Sequence, residues 1–176
     1  MALSTRRADM PASAQQCLPP AAVAVSVIVP VAERYDDLAE LYRVHAHMLR
    51  RCGRPFEFVF VLDGGFEQAA KPLEALKAAG APIRVYTLPR CFGEATALMV
   101  GFEQAWADTL LTLSAYFQTS PEGIQKVLQL LDEGHDLVVA RRSPRVDSWF
   151  NRLQNYGFHL LTRWLTGIQL HDISCG

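Results

Sequence analysis

Arginines dominate the side chains that can act on a ligand. Arg141, Arg142 and Arg145 crowd one short segment, with Arg152 about two helical turns further on. Such a cluster suits a phosphate or diphosphate, the anionic surface of a cytoplasmic leaflet, or simply solvent. Arg90 stands three residues before Gly93. An arginine grips a diphosphate through two parallel N–H···O bonds, and a glycine beside it lets backbone come close. Glu33 and Asp63 follow apolar runs and offer acceptors to ligand N–H groups. The plainer alternative makes Asp63-Gly64 a turn and Glu33 a solvated carboxylate. In "TLLTLSAYFQTSPE" (Thr109 to Glu122), the segment Ser114-Ala115-Tyr116 holds no carboxylate, histidine or glycine. His45 and His47 sit two apart on a helical pattern, face different directions and make no metal pair.

The elements that must position these residues alternate along the chain. "VAVSVIVP" (Val23 to Pro30) predicts a strand buried on both faces and ended by proline. Leu38, Leu41, Tyr42, His45, Met48 and Leu49 recur at helical spacing and predict an amphipathic helix over 36–51. "FEFVFVL" (Phe56 to Leu62) predicts a second strand, broken by Asp63-Gly64-Gly65. A helix over 67–79 ends near Gly80, and "IRVYTL" (Ile83 to Leu88) is a third strand. Another helix, 93–107, turns Ala97, Leu98, Gly101, Phe102, Ala105 and Trp106 to one side. "TLLTL" is a fourth strand, and Ser120-Pro121-Glu122 starts a helix that runs to Glu133. "DLVVA" (Asp136 to Ala140) predicts a fifth strand, and a last helix spans 148–166. Residues 1–22 mix small, polar and proline residues and predict a flexible leader. The whole predicts an α/β three-layer sandwich with a mostly parallel central sheet. Its ligands belong at the carboxyl ends of the strands.

The totals narrow the function classes. The chain has 176 residues, enough for one domain, and half of them are hydrophobic. A formal net charge of −1 gives no support to a nucleic-acid partner. Four scattered cysteines without a C-x-x-C pair fit reduced thiols in a cytoplasmic setting. No apolar run reaches the ~20 residues that cross a bilayer, and the N-terminus has no signal-peptide pattern.

The segments after the strands, taken in order, resemble the family 2 glycosyltransferases of GT-A fold. Within that family they look most like bacterial polyprenyl-phosphate glycosyltransferases and dolichol-phosphate mannose synthases. "VSVIVPVAER" is similar to the family's V-S-V-V-I-P-V-Y-N-E, and "FVFVLDGG" to I-x-x-V-D-D-G-S. "LPRCFGEATALMVGF" is similar to L-x-R-N-x-G-x-x-x-A-x-x-x-G. "DSWFNRL", "LLTRWLTG" and "DISCG" resemble the C-terminal half of the polyprenyl-phosphate members. The resemblance covers Val23 to Gly176 and implies a glycosyltransferase domain over 23–176. It implies transfer of a sugar from a nucleoside-diphosphate sugar to a polyprenyl phosphate at the cytoplasmic membrane face. It also implies that Pro30, Glu33 and Asp63 line the base pocket, with Arg90 and Gly93 at the diphosphate. Arg141 and Arg145 then belong to the acceptor phosphate, and Asp172 and Arg142 to catalysis. Glu94 departs from the lysine or glutamine usual in the family, and would repel a pyrophosphate unless a cation lay between. The abrupt stop at Cys175-Gly176 leads to the expectation that more of the fold, and membrane-spanning helices, follow.

In the family the fourth strand runs into D-x-D, as in D-A-D-L-Q-x-P-P-E, whose carboxylates hold Mg2+ or Mn2+. Aligned on Gln118, Pro121 and Glu122, this chain has Ser114 and Tyr116 in those two positions, and Leu62 replaces the aspartate beside Asp63. A hydroxyl and a phenol are poor ligands for a hard dication. Three readings stay open: a transferase in which Arg90 and the arginine cluster neutralise the leaving group without metal, an inactive member retaining a nucleotide- or lipid-phosphate-binding role, and an α/β domain with another small ligand.

Overall fold

The computed structural model describes residues 23–140. The leader predicted over 1–22 and the helix predicted over 148–166 lie outside the described residues, as do Arg141, Arg142, Arg145, Arg152 and Asp172. Within them, the strands are β1 (Val25–Val31), β2 (Phe56–Asp63), β3 (Ile83–Leu88) and β4 (Thr109–Thr112). The helices are α1 (Leu38–Arg51), α2 (Glu67–Ala78), α3 (Glu94–Gln104) and α4 (Pro121–Asp132). The strands form one parallel sheet in the order β3-β2-β1-β4, with Val25 opposite both Phe56 and Thr109.

Period-two alternation divides the core between two faces. Val25, Val27, Val29 and Val31 meet Tyr42 and Leu49 of α1, Leu73 of α2 and Leu128 of α4. Ile28, Val59 and Val61 point the other way, onto Ala97 of α3. Helices therefore cover both faces, as the strand–helix alternation predicts. The α3 layer comes very close: a Cβ on Gly101 would lie 2.3 Å from Ile28 Cγ2. The predicted caps also form. Asp37 accepts the Glu40 N–H at 3.0 Å, and Ser120 accepts the Gly123 N–H at 3.2 Å.

Two polar residues inside the apolar strands organise the amino-terminal edge. Glu57 is 2% exposed and accepts the Ser26 hydroxyl at 2.6 Å, the Trp106 N–H at 2.8 Å and Arg84 Nε at 2.8 Å. Ser26 Oγ in turn accepts the Ala107 N–H at 3.0 Å. The Arg84 guanidinium lies 3.8 Å from the Trp106 ring centroid and donates to Gln104 O. One buried carboxylate thus joins the starts of β1, β2 and β3 to the turn that leads from α3 into β4.

Three expectations are corrected. The helix expected over 93–107 stops at Gln104, and Trp106 beyond it gives its N–H to Glu57. Pro30 does not end β1, which continues through Val31 with Pro30 opposite Val61. Ile28 O accepts the Leu113 N–H, so this parity of β1 faces β4, and the described β1–β4 pairing has stopped by residue 30. A missing N–H is harmless there. The predicted strand Asp136 to Ala140 does not form either: Leu137 is 75% exposed, Val139 is 47% exposed, and no described strand pairs with the segment. Apolar composition fits a strand, but ladder bonds to a neighbour make one, and β4 pairs with β1.

Glu57→Gln is expected to cost about 3 kcal/mol, because the Arg84 charge loses its partner. Urea midpoints measure this, and Glu57→Gln combined with Arg84→Met should cost less than the sum of the two singles. Gly101→Ala should cost about 1–3 kcal/mol by overpacking against Ile28.

Candidate functional site

The loops at the carboxyl ends of the strands are knit together in two pairs. The first joins β2 to β3. Asp63, the last residue of β2, is 1% exposed, and its carboxylate accepts the N–H groups of Phe92 and Gly93, each at 2.7 Å. Cys91 Sγ donates to Asp63 O at 3.2 Å. Gly64, at φ 78°, lets these loops touch, since a Cβ there would lie 2.7 Å from Cys91 N. The Asp63 latch fixes the entry to α3, whose N-cap is Gly93. Arg90 is exposed on the same loop, its guanidinium carbon 4.8 Å from the Phe92 ring centroid.

The second pair joins β1 to β4. The Asp36 N–H donates to Ala115 O at 3.0 Å, and the Phe117 N–H donates to Asp36 Oδ2 at 2.9 Å. These bonds bracket Tyr116, and Arg34 lies over its ring at 4.6 Å. Tyr35 packs edge-on against Phe66 at 5.6 Å, linking the loop after β1 to the one after β2. Behind this pair, His45 is buried and donates from Nδ1 to Leu41 O at 2.8 Å, while His47 is exposed.

The sequence-predicted residues therefore have distinct settings. Glu33 is exposed after β1, Pro30 is buried within that strand, and Gly93 and Arg90 flank the start of α3. Asp63 lies beneath the rim, with both carboxylate oxygens engaged by backbone. Ser114, Tyr116 and Gln118 are half-buried after β4.

The sheet order marks the crevice. The chain builds outward from β1 to β2 to β3, then crosses to the other side of β1 to form β4. Open α/β sheets bind ligands at such a reversal, just past the strand ends. Here the loops just past the reversal are those of Arg34 and Tyr116, joined to each other through Asp36. Residues 26–174 match the Glycosyl transferase family 2 family. The chain belongs to glycosyl transferase family 2.

Curated relatives narrow the likeness within family 2. The chain is 34% identical over 152 residues to the undecaprenyl-phosphate 4-deoxy-4-formamido-L-arabinose transferase of Edwardsiella ictaluri (strain 93-146), covering 86% of this chain and 47% of that protein. The enzyme of the same name from Pseudomonas paraeruginosa (strain DSM 24068 / PA7) is 34% identical over 152 residues, covering 86% of this chain and 45% of its own. The chain thus spans under half the length of these relatives. A solved structure of S. aureus TarS 1-349 matches at TM-score 0.49 and 19% identity, over 70% of this chain and 40% of that one.

A family 2 fold raises the question of Mg2+ or Mn2+, and these residues do not fit one. Hard dications take several oxygen ligands, carboxylates foremost. The loop after β4 offers a hydroxyl, a phenol and an amide at Ser114, Tyr116 and Gln118. The neighbouring Asp36 and Asp63 accept backbone N–H groups. Among the described residues no group of three or more histidines, cysteines, aspartates or glutamates is placed to hold a metal ion.

Arg34 and Asp36 escape the motif-based reading. The signal for Arg34 is the register of the opening motif: "VSVIVPVAER" against V-S-V-V-I-P-V-Y-N-E sets Glu33 opposite asparagine and Arg34 opposite glutamate. No local signal marks Asp36, whose partners lie about eighty positions away.

Asp63→Asn keeps one acceptor but turns an NH2 toward a backbone N–H. A stability loss of about 2 kcal/mol is expected, with faster hydrogen exchange at Phe92 and Gly93. Unchanged exchange at those two amides would count against the latch.

Proposed function

We propose that the protein transfers a sugar from a nucleoside-diphosphate sugar to a polyprenyl phosphate at the cytoplasmic face of a membrane. One observation carries this reading: the 34% identity over 152 residues to transferases named for undecaprenyl phosphate. The family match is consistent with it, because it runs from Ser26 to Ser174 and so takes in Arg141, Arg142, Arg145 and Asp172 as well as the described rim.

The chemistry suits the residues. An acceptor phosphate oxygen forms a bond to the sugar's anomeric carbon, and the bond from that carbon to the nucleoside diphosphate breaks. The electron pair of the broken bond goes to the diphosphate oxygen. A phosphate acceptor is already ionised, so the step needs no strong general base and depends on stabilising the leaving group. In this reading Glu33 takes a base N–H, with Pro30 and Asp63 framing the pocket beneath. Arg90 and the backbone at Gly93 hold the diphosphate. Arg141 and Arg145 hold the acceptor phosphate, and Arg142 and Asp172 work at the reacting atoms. Among the described residues no helix is long and apolar enough to cross a membrane. The lipid acceptor brings the reaction to the surface, where basic residues also favour anionic headgroups.

A second reading rests on Ser114 and Tyr116, the residues that stand in the family's metal-binding positions. It makes the protein a nucleotide- or lipid-phosphate-binding subunit without turnover. Incubating the full chain with UDP- or GDP-sugars and a polyprenyl phosphate in detergent separates the two. Transfer of sugar into the lipid fraction is expected, falling about a hundredfold in Arg142→Gln with nucleotide binding unchanged. Nucleotide binding without any transfer would favour the second reading.

A further inference from the structure

We infer that Arg34, laid over Tyr116 in the β1–β4 crevice, is a diphosphate-binding group that supplies to the donor's leaving group a fixed positive charge. The inference rests on the proposed transfer from a nucleoside diphosphate, and adds a residue that no motif assigns.

Position comes first. Arg34 is exposed, three residues beyond the end of β1, just past the point where the sheet order reverses. Tyr116, four residues beyond the end of β4, lies under it on the loop bonded to its own. The exposed guanidinium thus stands at the carboxyl end of the sheet, where ligands of α/β folds bind.

Preorganisation is the second argument. The backbone on either side of Tyr116 is tied to one residue: Ala115 O accepts from the Asp36 N–H, and the Phe117 N–H donates to the Asp36 carboxylate. Ala115 is itself buried. Tyr35, next to Arg34, is packed against Phe66. The platform and the arginine's own backbone are therefore held before any ligand arrives, which lowers the entropic cost of binding. Contact through an aromatic face draws on the charge of a guanidinium and leaves its planar N–H fork suited to two phosphate oxygens.

Charge is the third. The aspartates of the loops after β1 and β2 have backbone work: Asp36 accepts the Phe117 N–H, Asp37 accepts the Glu40 N–H, and Asp63 accepts two amides. Glu33 is the exposed carboxylate beside Arg34, in the place proposed for the base. Arg90, on Phe92, adds a second aromatic-backed cation on the same edge of the sheet. A diphosphate, which gains charge as the sugar departs, is the ligand the two arginines suit, with the exposed Glu94 beside Gly93 the acid their charge must outweigh. A guanidinium carries its charge permanently, so affinity should not depend on added metal.

Calorimetry on the full chain tests this with UDP, GDP, the matching nucleosides and farnesyl phosphate, in EDTA and in Mn2+. One of the diphosphates should bind equally well in both buffers. Arg34→Gln should weaken that diphosphate about ten- to a hundredfold while nucleoside and farnesyl phosphate binding stay unchanged. Tyr116→Leu should weaken it about two- to fivefold, through loss of the platform. Binding that requires Mn2+, or diphosphate affinity untouched in Arg34→Gln, overturns the inference and leaves the transferase reading standing. Loss of farnesyl phosphate rather than diphosphate binding would overturn it too, since the arginine would then serve the acceptor. If the unaltered protein binds neither nucleoside nor diphosphate, the transferase reading fails and this inference with it.

Discussion

Everything at the candidate site depends on where the sheet reverses. β1 is hydrogen-bonded to β2 on one side and β4 on the other, so the loops that leave β1 and β4 run from neighbouring strands toward different helices. A right-handed crossover puts its helix on one face when the chain steps one way along a sheet, and on the opposite face when it steps back. The helices α1 and α2 therefore share the Val25–Val31 valine face, and α3 takes the Ile28 face. The loops that lead to opposite faces are those of β2 and β3, toward α2 and α3, whereas the loops of β1 and β4 lead to α1 and α4 on the shared valine face. The meeting of the β1 and β4 loops at one rim is a consequence of strand order, and side chains furnish it.

Such a rim is useful only if the strands around it cannot slide. The Glu57 carboxylate holds the opposite edge, where one side chain receives N–H and O–H bonds from β1, from β3 and from the turn before β4. Gly101 lets α3 close against Ile28 at the centre of the sheet. The Asp63 latch then fixes the start of α3 relative to the end of β2. The position of Gly93, and of the loop that carries Arg90, follows from restraints that touch no ligand at all. This is how a loop site acquires geometry: the scaffold removes the freedom that binding would otherwise have to remove.

The residues that read clearly from sequence are those whose signal is local. Valine-rich runs, a Ser120-Pro121 cap and three- and four-residue spacing depend on neighbours within a few positions, and β1, α1 and α4 follow from them. Pro30 misleads because a proline normally stops a strand, and only the short extent of β4 makes its missing donor harmless. Asp136 to Ala140 misleads because apolar composition reports burial and not pairing. Glu57 looks like an interruption in "FEFVFVL", since its partners Ser26, Arg84 and Trp106 belong to other elements. The rim divides the same way. Asp63 is conspicuous as a carboxylate after a strand, yet its engagement with Phe92 and Gly93 can be known only from the loop that comes back to meet it.

The same distinction bears on the metal question. Replacing two carboxylates by Ser114 and Tyr116 looks like simple loss when the loop is read alone. Beside the loop from β1 it becomes half of an exchange, because an arginine stands where the opening motif has a glutamate and lies over the new tyrosine. Acid removed from one loop and base added to the other both move the crevice toward positive charge. A bound dication makes that shift through an ion held by protein acids; here the protein would make it with its own side chain. The chemistry tolerates such an exchange best when the nucleophile needs no deprotonation, since the remaining electrostatic task lies at the leaving group. A lipid phosphate is a nucleophile of that kind, so the composition of the crevice and the proposed acceptor point to the same division of labour.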